Sequence, residues 1–287
     1  MASTPTEHTA WTAAGANAAA QATYASVKQA LADLIRLRNL EVFLQGSYAN
    51  STNIRADSDV DIVVMTRRTF HGSVGRLSAR GKALWDALPA PSYLANDLRT
   101  EVTAALVAYY GAARVTQRNK CIAVAKRDGY VDADVVPCLE YHWYRDPDSI
   151  ANFIEGISIQ PLRGERIINF PKEHIQNGQR KNVLCSERYK PTVRQMKHLR
   201  NRAIAEHRLA EGVAPGYMLE CMTYNAPVDR FSANNSERLR DVVLWLKVAD
   251  KQTFLSCDGI HRLFLDDPGH FEIGTAQRIV DALWDSY

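Results

Sequence analysis

Between residues 17 and 40 the apolar side chains Ala20, Tyr24, Val27, Leu31, Leu34 and Ile35 return at helical spacing. This predicts one long amphipathic helix opening after a Gly-containing loop. The pattern then changes. Val42-Phe43-Leu44 runs into the turn formers Gly46, Ser47, Asn50, Ser51, Thr52 and Asn53, and Val60-Asp61-Ile62-Val63-Val64-Met65 is a β-branched apolar run. A strand, a polar loop and a second strand are expected there. A helix is predicted over 97–110, then short strands near 121–126 and 131–136, the second stopping at Pro137 because proline has no N–H for a sheet ladder. Residues 150–172 read as short strands around a turn at Arg163-Gly164, and from about residue 187 the period is helical over 188–210, 215–224, 236–249 and 275–286.

This order predicts an α+β chain in two lobes. Residues 1–172 form a mixed sheet with a long N-terminal helix, residues 173–287 form a helical lobe, and the lobes share an active-site cleft. Composition narrows the chemistry. With 46% hydrophobic and 23% charged residues over 287 positions, the chain has the balance of a soluble globular protein. Its 35 basic and 32 acidic residues leave a formal charge of +3, too little to gather a long nucleic-acid template by field alone, so phosphate binding must come from local clusters. The five cysteines are widely spaced with no C-x-x-C pair, which argues against a zinc ribbon. A charged n-region with an apolar h-region is missing from residues 1–20, and no run reaches membrane-spanning length, so a cytoplasmic protein without a membrane partner is expected.

On a strand, side chains two apart share a face, so Asp59 and Asp61 project together while Val60 and Ile62 anchor the other side. Two carboxylates that close repel each other unless a multivalent cation neutralises them, and hard oxygen ligands suit Mg²⁺. Two-metal phosphoryl transfer calls for a third carboxylate. Asp134, within Val131-Asp132-Ala133-Asp134-Val135-Val136-Pro137, is the candidate; Asp132 on the same face is its rival, nearer the polar Arg127-Asp128-Gly129 turn and expected to be exposed. Asp57 continues the alternation of Asp59 and Asp61 but is placed in the loop. Upstream, Gly46 lets backbone amides approach a triphosphate and the Ser47 hydroxyl can hold a phosphate oxygen, with eleven residues between Ser47 and Asp59.

Leu44-Gln45-Gly46-Ser47-Tyr48-Ala49-Asn50-Ser51-Thr52-Asn53-Ile54-Arg55 followed by Ser58-Asp59-Val60-Asp61-Ile62-Val63-Val64 resembles the polymerase-β-like nucleotidyltransferases. The resemblance is to the bacterial cGAS/DncV-like enzymes (CD-NTases) in particular, and among them to the CdnE clade. It continues through Asp134-Val135-Val136-Pro137, Gly156-Ile157, Asn169-Phe170-Pro171-Lys172-Glu173-His174, Asn177-Gly178, Lys190-Pro191-Thr192-Val193-Arg194, Tyr217-Met218-Leu219-Glu220 and Tyr224-Asn225. It implies an enzyme that condenses ribonucleoside triphosphates, ATP with UTP or another, into a cyclic oligonucleotide, most simply a dinucleotide. That product would switch on an effector in defence against phage. By the same resemblance Asp59, Asp61 and Asp134 would ligate two Mg²⁺ ions, with Mn²⁺ able to substitute. Gln45, Gly46 and Ser47 would hold the nucleotide, Lys197 would reach the phosphates and Tyr217 would stack on a base. The zinc insertion of the animal enzyme is absent.

Lys190, Arg194 and Lys197 share a helix face beside the apolar stripe Val193, Met196, Leu199 and Ala203, so the stripe should pack inward and the cations face phosphate or solvent. Tyr217 follows Pro215-Gly216 at a helix start, where base stacking and core packing are both open to it, and Ser158 or Gln160 could read a base edge. His142, His174, His198 and His207 show no metal-ligand spacing and are read as structural. Two rival functions remain: nucleotidyl transfer to RNA, protein or a small molecule, and silent nucleotide sensing. No dimer helix is evident, so a monomer is the default.

Overall fold

The computed structural model describes residues 3–15, 17–54, 59–265 and 271–287. In chain order the first elements are α1 (Pro5–Ala10), α2 (Ala18–Ala30), α3 (Ala32–Arg38), β1 (Leu40–Leu44), α4 (Gly46–Asn50) and β2 (Val60–Gly72). Next come α5 (Ala79–Asp86), α6 (Ala95–Tyr110), β3 (Val115–Gln117), β4 (Ile122–Val124), β5 (Ala133–Tyr144), β6 (Phe153–Ile159) and β7 (Ile167–Asn169). The remainder is α7 (Pro171–Leu184), α8 (Tyr189–Ala205), α9 (Gly216–Asn225), α10 (Asn235–Val248) and α11 (Ile273–Asp285).

The chain forms two compact units that are not contiguous in sequence: residues 17–45 with 57–172, and residues 1–16, 46–56 and 173–287. The later helices begin their unit at residue 173, and the segments 1–16 and 46–56 belong with them. The first unit is built on a seven-stranded sheet of order β1-β2-β5-β4-β3, with β6 on the other half of the β5 edge and β7 beyond it. Strands β2 and β5 run parallel and the other pairs are antiparallel. Val60, Ile62 and Val64 are fully buried, as are Leu98, Val102 and Leu106 of α6, and α2 and α6 pack on the sheet. In the helical unit one continuous core runs through Val193, Met196, Met218, Leu219, Val242 and Ile279.

Three expectations change. The predicted single helix over 17–40 is two helices, α2 and α3, because Leu31 leaves helical geometry (φ −98°, ψ 6°) with its side chain fully buried. Apolar spacing continues across that break and so hides it. The stretch expected as a loop after Leu44 begins with the short helix α4. Pro137 does not end its strand, since β5 runs on to Tyr144. On the edge of β5 away from β2, pairing with β4 stops at Val135 and pairing with β6 starts at Leu139, so Pro137 sits where that edge has no partner. Helix α7 lies in a stretch to which the spacing assigns no element.

Gly156 in β6 is a place where only glycine fits: a Cβ there would lie 2.8 Å from the Phe170 ring and 2.9 Å from the Asn169 carbonyl oxygen. Gly156→Ala is expected to cost about 1–3 kcal/mol through overpacking. Chemical denaturation of the variant beside the parent chain measures it, and an unchanged midpoint would show that β7 moves aside freely.

Candidate active site

The carboxylate site is made by register. Asp61 is the second residue of β2, and the parallel ladder sets it directly opposite Asp134, the second residue of β5, as Val60 is set opposite Ala133. Partners in register share a face, so the two carboxylates emerge side by side from adjacent strands. Asp59 stands two residues before Asp61 and is exposed at the strand entrance, where the Val60 N–H donates to the Asp132 carbonyl at 2.9 Å. Further along the face of Asp61 and Asp134, Val63, Met65, Val136 and Cys138 are buried. An acidic strand end thus joins an apolar sheet face.

The electrostatics follow from that crowding. Burial, then the Asp134 and Asp59 charges, push the Asp61 carboxyl up to about 6. Asp59, exposed as a residue but with its carboxyl partly desolvated, is raised by that desolvation and by Asp134 and Asp132, against the opposing pull of Arg118 and Lys126. Carboxylates that resist ionising together are a donor set waiting for a compensating cation, and all-oxygen ligands from three aspartates fit a divalent ion of the Mg²⁺ class. Asp59 and Asp134 line a cavity of about 140 Å³ with Asp132, Arg114, Thr116 and Arg118. The Arg118 guanidinium lies 3.3 Å from Asp134. Asp132, expected to be exposed, is half-buried, and its carboxylate accepts the Lys126 N–H at 2.9 Å. It is thereby turned to its own loop. Asp57, the other rival, lies outside the described residues.

In the helical unit, Gly46 opens α4 with φ 69°, a left-handed conformation that a β-carbon would strain. Gln45 N–H donates to the Asp61 carbonyl at 3.0 Å within the sheet unit. Ser47 is half-buried, and its carbonyl accepts from Thr52 N–H at 2.9 Å, closing residues 47–52 into a compact loop.

Lys197 was expected to reach phosphates. In the structure it is 5% exposed and its ammonium donates to the Thr52 carbonyl at 2.9 Å and Thr52 hydroxyl at 3.2 Å. Gly216 allows this, since a Cβ there would lie 3.2 Å from Lys197 Cε. Arg194 likewise turns to backbone rather than outward, donating to the Thr12 and Ser51 carbonyls at 2.7 and 2.5 Å. Tyr217 is 42% exposed, with His174 edge-on at 5.4 Å between ring centres.

One group that sequence reasoning passed over is Glu220, which is 3% exposed. Its carboxylate accepts from His174 Nε2 at 3.0 Å and the Thr52 hydroxyl at 3.0 Å, with the Lys197 ammonium at 4.0 Å. His174 also lies 3.1 Å from the Asn50 amide nitrogen. Atoms of His174, Glu220 and Cys257 lie within 4.8 Å of one another, a grouping that linear spacing cannot reveal. The hydrogen bonds already made by His174 and Glu220 identify it as a polar hub. Among the described residues no helix is long and apolar enough to cross a membrane.

Comparison with known proteins identifies the family of the two units. Residues 25–156 match the model of the nucleotidyltransferase domain and residues 176–287 that of the cGAS/DncV-like nucleotidyltransferase C-terminal helical domain. A cyclic UMP-AMP synthase of Rhodothermus marinus is 36% identical over 283 residues, 96% of each chain. The structure of the Rhodothermus marinus CdnE c-UMP-AMP synthase with Apcpp and Upnpp superposes with a TM-score of 0.89 at 34% identity, over 99% of this chain and 96% of that one. A cyclic dipurine nucleotide synthase of Elizabethkingia meningoseptica is 33% identical over 225 residues, 78% of this chain and 76% of the relative.

Proposed function

The chain belongs to the cGAS/DncV-like nucleotidyltransferases, and from that premise we propose that it joins ATP and UTP into a cyclic dinucleotide, releasing pyrophosphate at each of two bond-forming steps. The observation that carries the chemistry is the Asp61–Asp134 register with Asp59 two residues upstream. The preference for one purine and one pyrimidine is supported by the cyclic UMP-AMP synthase at 36% identity.

In this reading Asp59, Asp61 and Asp134 hold two Mg²⁺ ions, Mn²⁺ substituting. When bound, the ions supply the charge that acidifies an acceptor ribose hydroxyl and steadies the departing pyrophosphate. The acceptor oxygen bonds to the α-phosphorus as the bond from that phosphorus to the β-bridging oxygen breaks. A second transfer in the same sense closes the ring. Gln45, Gly46 and Ser47 hold the triphosphate through backbone amides and the serine hydroxyl, and Tyr217, a partly exposed residue, stacks on a base. Lys197 acts at one remove, fixing Thr52 and with it the loop that carries Ser47. The product is a diffusible signal that activates an effector during phage infection, and the protein acts in the cytoplasm as a monomer.

The test is incubation with the four ribonucleoside triphosphates and Mg²⁺, phosphatase treatment, and mass spectrometry. A phosphatase-resistant product containing uridine and adenosine is expected from the parent chain and none from Asp134→Asn. Labelled nucleotide on RNA or protein, with no free cyclic product, would overturn the reading.

A further inference from the structure

The cations of α8 and the N-terminal segment together do something the reaction scheme does not require of them. Residues 3–15 lie along α8 through three successive contacts. The His8 carbonyl accepts from Gln195 Nε2 at 2.7 Å, Trp11 stacks on His198 at 5.8 Å with planes 9° apart, and the Thr12 carbonyl accepts from Arg194 Nε at 2.7 Å. The second arm of the same guanidinium, Nη1, donates to the Ser51 carbonyl at 2.5 Å. Farther on, Gly15 and Asn53 are tied twice, Gly15 N–H to the Asn53 carbonyl at 3.1 Å and Asn53 Nδ2 to the Gly15 carbonyl at 3.3 Å.

Ser51 has φ 56°, a left-handed backbone that a serine adopts only when its surroundings hold it there. The residue after it, Thr52, is the one bonded to Ser47, N–H to carbonyl at 2.9 Å. A hydrogen-bonded line therefore runs from the N-terminal segment through Arg194 to Ser51, and one residue on to Ser47. A planar guanidinium with divergent donors can hold two carbonyls at once, which a single ammonium on a flexible stem does less well.

We propose that Arg194 is a positioning residue, and that the N-terminal segment 3–15 is a strut of the nucleotide-binding loop rather than an appendage. By clasping Thr12 and Ser51 together, Arg194 makes the docking of Trp11 a condition for the conformation that presents Ser47 to a triphosphate. This rests on the reading of Gly46 and Ser47 as triphosphate ligands.

The experiment measures binding of a non-hydrolysable ATP analogue with Mg²⁺ to the full chain by calorimetry, so that it needs no turnover. The variants are Trp11→Ala, Arg194→Gln and the two combined, with Arg194→Lys as a milder change of equal charge. Each of Trp11→Ala and Arg194→Gln should weaken binding roughly tenfold, and the double variant should be within about twofold of the weaker single, since both break one line. Arg194→Lys, which keeps the charge but not the fork, should still lose severalfold. Unchanged binding in either single variant, or losses that multiply in the double, would overturn the proposal, and if Arg194→Gln does not fold, unchanged binding by Arg194→Lys does so. A parent chain that binds the analogue yet yields no cyclic product would defeat the cyclisation reading and leave this one standing.

Discussion

Asp61→Asn is expected to cut product formation by at least about a hundredfold while making the protein harder to melt. The two effects share one origin. Asp61 faces Asp134 in register and stands two residues from Asp59, so the folded chain without bound cations holds crowded negative charge. The amide keeps the shape and removes one of the charges. Stability should depend on pH accordingly. The Asp61 carboxyl has its folded pKa raised from 3.8 to about 6, so between those values the folded chain retains a proton that the unfolded chain has released. Protonation then favours folding, and the parent chain loses stability as pH climbs through that window. Asp61→Asn should flatten this dependence and melt a few degrees higher near neutral pH in chelator, as relief of an active-site conflict does in general. Thermal melts at several pH values, with the product assay alongside, test both halves. Near-parental turnover would remove Asp61 from the chemistry, and a lower melting temperature would show that its charge is already compensated.

Glu220→Ala is expected to give the largest loss of stability, about 3–5 kcal/mol, because it leaves a buried cation without its countercharge. Burial would raise the Glu220 carboxyl, but the bond from His174, the charges of His174 and Lys197, and the Thr52 hydroxyl hold it below the usual glutamate range. Removing it strands the Lys197 ammonium and leaves donors on His174 and Thr52 unpaired. Glu220→Gln keeps most of the shape and should lose less. The pH dependence is of the opposite sign to that of Asp61: the stabilisation is complete above the ordinary carboxylate range and disappears as pH falls through it to the folded value. Urea denaturation of both variants across pH 4 to 7 reads this. Equal stability of Glu220→Ala and the parent would mean that Lys197 finds another anion or sheds its proton.

These two sites differ in how far the sequence exposes them. Asp61 and Asp134 stand in apolar strands, with Asp59 just before the first, where a period of two residues fixes the face, and the pairing of one apolar strand with another does the rest. Amphipathic spacing likewise located α8 and its inward stripe. What spacing leaves open is what stands opposite a cation on a helix face. Lys197 and Arg194 look alike in the sequence to residues awaiting phosphate, and only the fold brings Thr52 and Ser51 to them from about 145 positions away. Glu220 was legible as part of a family motif but not as the hub it is, since its partners lie 46 and 168 positions away. The break at Leu31 was hidden because a buried leucine satisfies the helical pattern whether or not the helix continues. The left-handed Asn39 that ends α3 (φ 52°) carried a turn signal that the long-helix reading ran past.

The scattered makeup of the helical unit bears on synthesis. The glutamate that fixes Thr52 is made 168 residues after it. At about 5–20 residues per second, translation leaves roughly ten to thirty seconds in which the nascent loop lacks its anchor. The loop can therefore take its final set of hydrogen bonds only after Glu220 has been made.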